Sequence, residues 1–274
     1  MGKYRYIIFD ADHTLIDFQE DERRAFRAAL SGMPPIKVCN AVSNAGIPPM
    51  ERAGEATSDM PPSDTGTCPP NADIPPVDEE IVRRMQAYSA QNWAELGLDD
   101  VNDAVIQREY HARTYTHVHA LFEYAAKEYG LQNAAQAERI FFETLCLPAH
   151  QIDGALELVK VFSKNHKVCI ATNGLSTMQR GRLYSFDPYL HRYFISEEMD
   201  TIKPAEEFGT MMFTALNARP DECLFIGDSL TSDMALANKF NMDCVWYNPA
   251  GRPLPVGVRV TAQIKALHEI SKYI

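Results

Sequence analysis

The 274-residue chain is short of several things, and each shortage removes a class of function. No apolar run reaches the ~18–20 residues that cross a bilayer as a helix. The opening MGKYRY has no signal-peptide apolar stretch and carries Tyr6 where a myristoylation signal wants Ser or Thr. The expectation is a soluble, cytoplasmic protein with no membrane partner. Positive charge is scarce: 26 Lys and Arg stand against 37 Asp and Glu, a net charge of −11. That balance argues against a basic face for a nucleic-acid polymer. It leaves a small anionic substrate open, because a metal and a few cations reverse the field locally. The six cysteines form no C-x-x-C pair and no metal-type spacing. Cys169, Cys223 and Cys244 lie in apolar segments and read as small, reduced core residues.

Proline is abundant but unevenly placed. Ten of the seventeen fall between Ser31 and Val77, as five Pro-Pro pairs. Such a segment keeps neither a helix nor a central strand, so about 31–77 reads as an irregular insertion. A polyproline partner ligand is the other reading, but no P-x-x-P with a basic anchor stands out. Residues 17–30 and 78–147 have helical spacing, as in Ile81, Val82, Met85 and Tyr88. After Pro148 the rhythm alternates. Helices are expected at 154–164, 176–186, 204–217, 231–240 and about 262–272, and strands at 167–171, 193–195, 223–226 and 243–247. With the apolar strand at 5–9, this predicts an α/β fold with a parallel sheet covered on both faces. The core would be residues 1–17 and 148–274, with 18–147 inserted as a helical unit.

In an open parallel sheet, ligands bind beyond the carboxyl ends of the strands. Asp10 and Asp12 follow the first strand. Thr172, Asn173 and Gly174 follow KVCIA. Lys203 lies in the loop after 193–195, and Asp228, Ser229 and Asp233 follow CLFI. Clustered carboxylates do not all stay ionised without a cation. The donors are all oxygen, which suits Mg²⁺ before zinc. Hydrogen-bond donors from Thr172 and Asn173, the Lys203 ammonium and a metal make a site for a transferring phosphoryl group. One acid of the first loop would attack phosphorus, and the other would protonate the leaving oxygen.

FDADHTL, ATNG, Lys203 in IKP, and GDSLTSD, in that order, resemble the motifs of haloacid dehalogenase-like (HAD) hydrolases over residues 4–17 and roughly 150–274. The resemblance implies a Rossmann-like core with an inserted cap. It implies Asp10 as nucleophile through an aspartyl-phosphate, Asp12 as general acid/base, and Thr172 and Lys203 on the phosphoryl oxygens. It gives Mg²⁺ to the Asp10 carboxylate, the Asp12 carbonyl and Asp228, with Asp233 as a ligand or behind one. The acid at position 12 favours a phosphatase over a dehalogenase. ATNGLSTMQRGRL and YFISEEMDTIKP are similar to the pyrimidine 5'-nucleotidase branch through Asn173, Gly174, Gln179, Arg182, Ser196 and Glu197, with departures at Asp200 and His13. The implied substrate is a small phosphorylated metabolite, a nucleoside 5'-monophosphate above others.

Plainer readings compete. Asp10 and Asp12 alone would be a helix cap and a turn acid, Thr172–Gly174 a turn, and Lys203 an exposed loop lysine. Asp228 and Asp233 would support the helix that follows them. Their joint occurrence after successive strands favours the site. His111, His117 and His119 do not make a zinc site, since His117 and His119 point to different helix faces. Trp93, Tyr110, Tyr115 and Phe122 read as cap core before base-stacking residues. Other functions kept open are a phosphosugar phosphatase or mutase, a phosphonate hydrolase needing a cap lysine (Lys127 is the one between Asp78 and Leu147), and a pseudo-enzyme binding a partner through 31–77.

Overall fold

A computed structural model describes residues 3–31 and 78–274, so the expected insertion lies outside the described residues save Ser31. The strand β1 (Tyr6–Phe9) is apolar and wholly buried because it sits centrally, paired in parallel with both β2 (Lys167–Thr172) and β4 (Cys223–Gly227). β3 (Arg192–Ile195), β5 (Asp243–Tyr247) and β6 (Ala262–Ile264) complete a six-stranded sheet of order β3-β2-β1-β4-β5-β6. Successive residues of β1 face opposite layers. Ile7 and Phe9 join a cluster with Val159 and Phe162, and Tyr6 and Ile8 join one with Phe208 and Met212. The first cluster is covered by α5 (Ala155–Phe162), the second by α8 (Glu206–Leu216) and α9 (Ala235–Lys239).

Four helices lie between β1 and β2: α1 (Phe18–Leu30), α2 (Glu79–Glu95), α3 (Ala104–Tyr129) and α4 (Ala134–Leu145). Asp17, Asp78 and Asp103 cap the first three by accepting from backbone N–H groups of the first turn. Phe26, Leu121, Phe122, Ile140 and Phe141 form their shared core, joined by Leu175 and Met178 near α6 (Ser176–Arg182). Phe122 is thus a core residue, as its spacing suggests.

The C-terminal expectation needs correction. The segment read as a helix over 262–272 begins with β6 and continues as a 3-10 turn, Leu267–Lys272. Ala262 and Ile264 are buried and Gln263 is exposed, the period of a strand on the outer edge of β5. Three residues are too few for that period to stand out in sequence. The expected helix 176–186 ends at Arg182 and passes into a 3-10 turn, Tyr184–Tyr189. The expected helix 231–240 opens as a π turn, Leu230–Met234.

Candidate active site

The carboxyl ends of β1, β2 and β4 bring the predicted residues together. Asp10 leaves β1 with its N–H donated to the Ile226 carbonyl at 2.8 Å. The chain then turns tightly, with Leu15 N donating to Ala11 O at 2.9 Å and His13 in the left-handed region at φ 60°. Asp17 N donates to His150 O, and Ile152 N to Leu15 O, so the two passages between core and cap helices lie side by side.

Lys203 is 1% exposed, and its ammonium donates three times: to Asp10 Oδ1 at 2.6 Å, Asp233 Oδ1 at 2.7 Å and Ala171 O at 2.7 Å. Burial opposes its charge, but Asp10 and Asp233 outweigh burial and raise its pKa. One oxygen each from Asp10, Asp228 and Asp233 lies within 4.8 Å of the others. Burial, with Asp233 and Asp228 nearby, pushes Asp10 well above the usual carboxylate range despite Lys203. Burial and then Asp233 raise Asp228 to about 6. Three carboxylates facing one ammonium lack positive charge, and all offer hard oxygen donors, so the set fits a divalent ion of the Mg²⁺ kind. Asp233 is more committed than the others: its second oxygen accepts from Ser229 N at 3.0 Å. Gly227 is what lets it approach, since a Cβ there would sit 2.2 Å from Asp233 Oδ2.

Asp12 is held differently. Its carboxylate accepts from Arg182 Nη1 at 2.5 Å and Gln179 Nε2 at 2.7 Å. Burial would raise its pKa, but Arg182, His13 and Gln179 prevail and lower it. Arg182 is itself fully buried and also donates to Asp21 on α1, Nη2 to Oδ2 at 3.1 Å. Asp21 accepts further from His150 N at 2.9 Å. Gln179 Nε2 also donates to Thr172 Oγ1 at 2.8 Å, which leaves the threonine O–H to donate elsewhere. Asn173 is braced within the site. Its side chain pairs with the Lys203 backbone, accepting from N at 2.8 Å and donating to O at 2.9 Å, so it fixes the lysine loop.

Sequence reasoning singled out Gln179 and Arg182 only as carriers of the nucleotidase resemblance, with no contact at the site, and did not name Asp21. A signal existed: Gln179 and Arg182 share a face with buried Met178 on α6, where a solvated pair would be out of place. From the cap side, His111 Nε2 meets Ser196 Oγ at 2.8 Å, and Tyr115 donates to Glu197 Oε1 at 3.2 Å. His117 lies inside the cap, while exposed His119 pairs with Glu138 at 2.9 Å, so the two do point apart. Among the described residues no helix is long and apolar enough to cross a membrane.

Residues 4–241 match the model of the haloacid dehalogenase-like hydrolases. The chain is 24% identical over 257 residues to the pyrimidine 5'-nucleotidase PynA of Streptococcus pneumoniae (strain ATCC BAA-255 / R6), covering 90% of this chain and 84% of that one. It is 30% identical over 131 residues to the pyrimidine 5'-nucleotidase YjjG of Escherichia coli (strain K12), covering 47% and 57%. In structure it is similar to the HAD-hydrolase YfnB from Bacillus subtilis, solved bound to magnesium, with a TM-score of 0.70, 22% identity and 99% of each chain covered. At that identity the structural likeness speaks to the fold alone. With the family model spanning most of the chain and the sheet carrying its motifs to one edge, the chain belongs to the haloacid dehalogenase-like hydrolases.

Proposed function

We propose that this hydrolase is a Mg²⁺-dependent phosphatase that acts on small phosphomonoesters through an aspartyl-phosphate, with nucleoside 5'-monophosphates as its substrates. The observation that carries the reading is the buried Lys203 ammonium shared between Asp10 and Asp233, with Asp228 alongside. It gathers a nucleophile, an anion-holding cation and a metal-fitting set of oxygens at one strand edge. The nucleotide preference is supported by the two pyrimidine 5'-nucleotidases among the relatives.

Asp10 Oδ1 is tied to Lys203, whereas among the described residues Oδ2 has only a long contact with Thr14 Oγ1 at 3.4 Å, and so is the freer oxygen to attack phosphorus. As that O–P bond forms, the bond to the leaving oxygen breaks, and that oxygen takes a proton from Asp12, which Arg182 and Gln179 hold ionised in the free site and which must first take that proton from water or from the phosphate monoanion. The Thr172 hydroxyl donates to a phosphoryl oxygen, and Lys203 turns one of the N–H groups it gives to Asp10, Asp233 and Ala171 toward another when substrate enters. In the second half, water adds to phosphorus, the Asp10–phosphate bond breaks, and the water's proton returns to Asp12. Arg182 and Gln179 favour the ionised Asp12, the form that this half needs as its base. Asp10, Asp228 and the Asp12 carbonyl, with Asp233 behind, would hold a Mg²⁺, which would supply the positive charge that two anions need to meet.

Asp10→Asn should abolish phosphate release from p-nitrophenyl phosphate with the fold intact, and chelation should silence the wild type. Turnover by Asp10→Asn at the wild-type rate would sink the mechanism. A phosphonate route has no support here: Lys127 projects from the far end of α3 with 82% of its side chain exposed, beside Glu128.

A further inference from the structure

One buried carboxylate beside the site has no part in the chemistry proposed so far. Asp21 lies in the first turn of α1, and none of its side chain is exposed. A charge in that position must be paired and hydrogen-bonded. Oδ2 accepts from one edge of the Arg182 guanidinium, from Nε at 3.3 Å and Nη2 at 3.1 Å. Oδ1 accepts from His150 N at 2.9 Å and Nδ1 at 2.8 Å, and lies 3.4 Å from Arg24 Nη2. Asp21 therefore ties α6 to the junction where the chain leaves the core and returns to it.

Arg182 is equally enclosed. Its carbonyl accepts from Ala149 N at 3.0 Å, and its guanidinium lies 5.1 Å from the centre of the Phe18 ring. With the Nε–Nη2 edge given to Asp21, Nη1 is left for Asp12. It meets Asp12 Oδ1 at 2.5 Å, with Gln179 Oε1 at 3.2 Å. The contact with Asp12 is thus a single bond, although a guanidinium and a carboxylate favour two parallel ones.

Asp21 is what withholds the second bond. Without it, the Nε–Nη2 edge of a buried cation has lost its acceptor, and Asp12 is the carboxylate within reach. A carboxylate has about four lone-pair sites. Arg182 Nη1 takes one on Oδ1 of Asp12, and Gln179 Nε2 takes one on Oδ2. A two-bond guanidinium would take another and turn the carboxyl toward α6.

We propose that Asp21 is a positioning residue for the acid/base step: by occupying the Nε–Nη2 edge of Arg182, it keeps Asp12 aimed at the leaving oxygen with a lone pair open to carry the proton. That proton passes from Asp12 to the oxygen as the oxygen's bond to phosphorus breaks. Asp21 acts only through Arg182. The inference rests on the phosphatase reading above.

The test uses the leaving group. p-Nitrophenolate departs without a proton, whereas the alkoxide of a sugar or nucleoside phosphate needs one. The probes are p-nitrophenyl phosphate and the fastest-cleaved alkyl ester among uridine 5'-monophosphate, adenosine 5'-monophosphate and ribose 5-phosphate, with Mg²⁺. The ratio of kcat/KM for the alkyl ester to that for p-nitrophenyl phosphate reads the acid, and within one preparation it cancels differences in folded fraction. Asp12→Asn should lower this ratio on the order of 10²-fold, the worth of a general acid. Asp21→Asn has the same size but no charge to hold the guanidinium edge, and should lower it at least about 10-fold. Asp12→Asn/Asp21→Asn should match Asp12→Asn alone, because the group Asp21 serves is already gone. His150→Ala removes a donor to Asp21 at a side chain 42% exposed, and should lower the ratio by less; it decides the outcome if Asp21→Asn does not fold. Equal losses on both esters in Asp21→Asn would make Asp21 a support of the fold alone and overturn the inference, as would a double variant that falls below Asp12→Asn. Either result leaves the phosphatase reading standing. A ratio unmoved by Asp12→Asn, or a wild type that cleaves no alkyl ester, removes the acid and the inference with it. A wild type that releases phosphate from no ester overturns the phosphatase reading as well.

Discussion

At the residue scale, the cost of holding charge inside the protein is concentrated in a few side chains. Lys203 is the clearest: it compensates two buried carboxylates at once. Lys203→Met leaves them facing each other, and removing one partner of a buried ion pair typically costs about 3–5 kcal/mol. Urea unfolding in metal-free buffer should show a loss of that order, with phosphatase activity gone even where the variant folds. Asp228 gives a prediction of opposite sign. Its folded pKa of about 6 exceeds the ~3.9 of an unfolded Asp, so the native state binds that proton more tightly. The stability this provides is full below about pH 4 and is lost as pH rises through 6. Asp228→Asn never ionises. Without Mg²⁺ it should match the wild type at pH 4 and melt higher at pH 7, and adding Mg²⁺ at pH 7 should raise the wild-type melting temperature alone. A melting-temperature difference that stays flat between pH 4 and 7 would rule this out.

At the element scale, α6 carries the site's least visible function. It delivers Gln179 and Arg182 to Asp12, and it can do so only because it packs closely on the turn after α4. A Cβ on Gly181 would lie 1.9 Å from the Cys146 carbonyl oxygen, a backbone atom that cannot swing aside. Gly181→Ala should therefore push α6 outward. Overpacking of this kind costs about 1–3 kcal/mol, and a displaced acid/base partner can lower turnover on the order of 10²-fold. Stability and kcat measured on one preparation would check both, and a variant with native values in each would refute the packing argument. The same helix shows where sequence reading stopped. Asp10, Asp12, Lys203, Asp228 and Asp233 were legible because each follows a strand of a parallel sheet, and topology alone sends them to one edge. Arg182 and Asp21 sit within helices 161 positions apart, and nothing local to either says which partner it will meet. The pairing of the Asn173 side chain with the Lys203 backbone was not legible, since nothing local says that a loop amide will brace a second loop 30 residues away. β6 was lost for want of length.

At the scale of the whole molecule, the question is whether the site needs the proline-rich stretch. Every contact described at Asp10, Asp12, Lys203, Asp228 and Asp233 comes from β2, β4, α6 and the strand-end loops. The helix before the stretch and the one after it are also stapled together. Glu79 at the start of α2 accepts from Arg27 Nε at 2.7 Å and Arg23 Nη2 at 2.9 Å, both on α1. Those arginines hold the Glu79 carboxyl at about 2, so the staple stays ionised through the neutral range. Closing a loop between ends already adjacent costs little more for a long connection than for a short one, because the entropy grows only as the logarithm of length. Replacing residues 32–77 with a short Gly/Ser linker should therefore give a folded protein that hydrolyses p-nitrophenyl phosphate at a rate close to that of the full chain. Loss of turnover in a variant that melts cooperatively would show that the stretch supplies a group to the site. Retained turnover with an altered order of preference among nucleotides would place it in substrate selection instead.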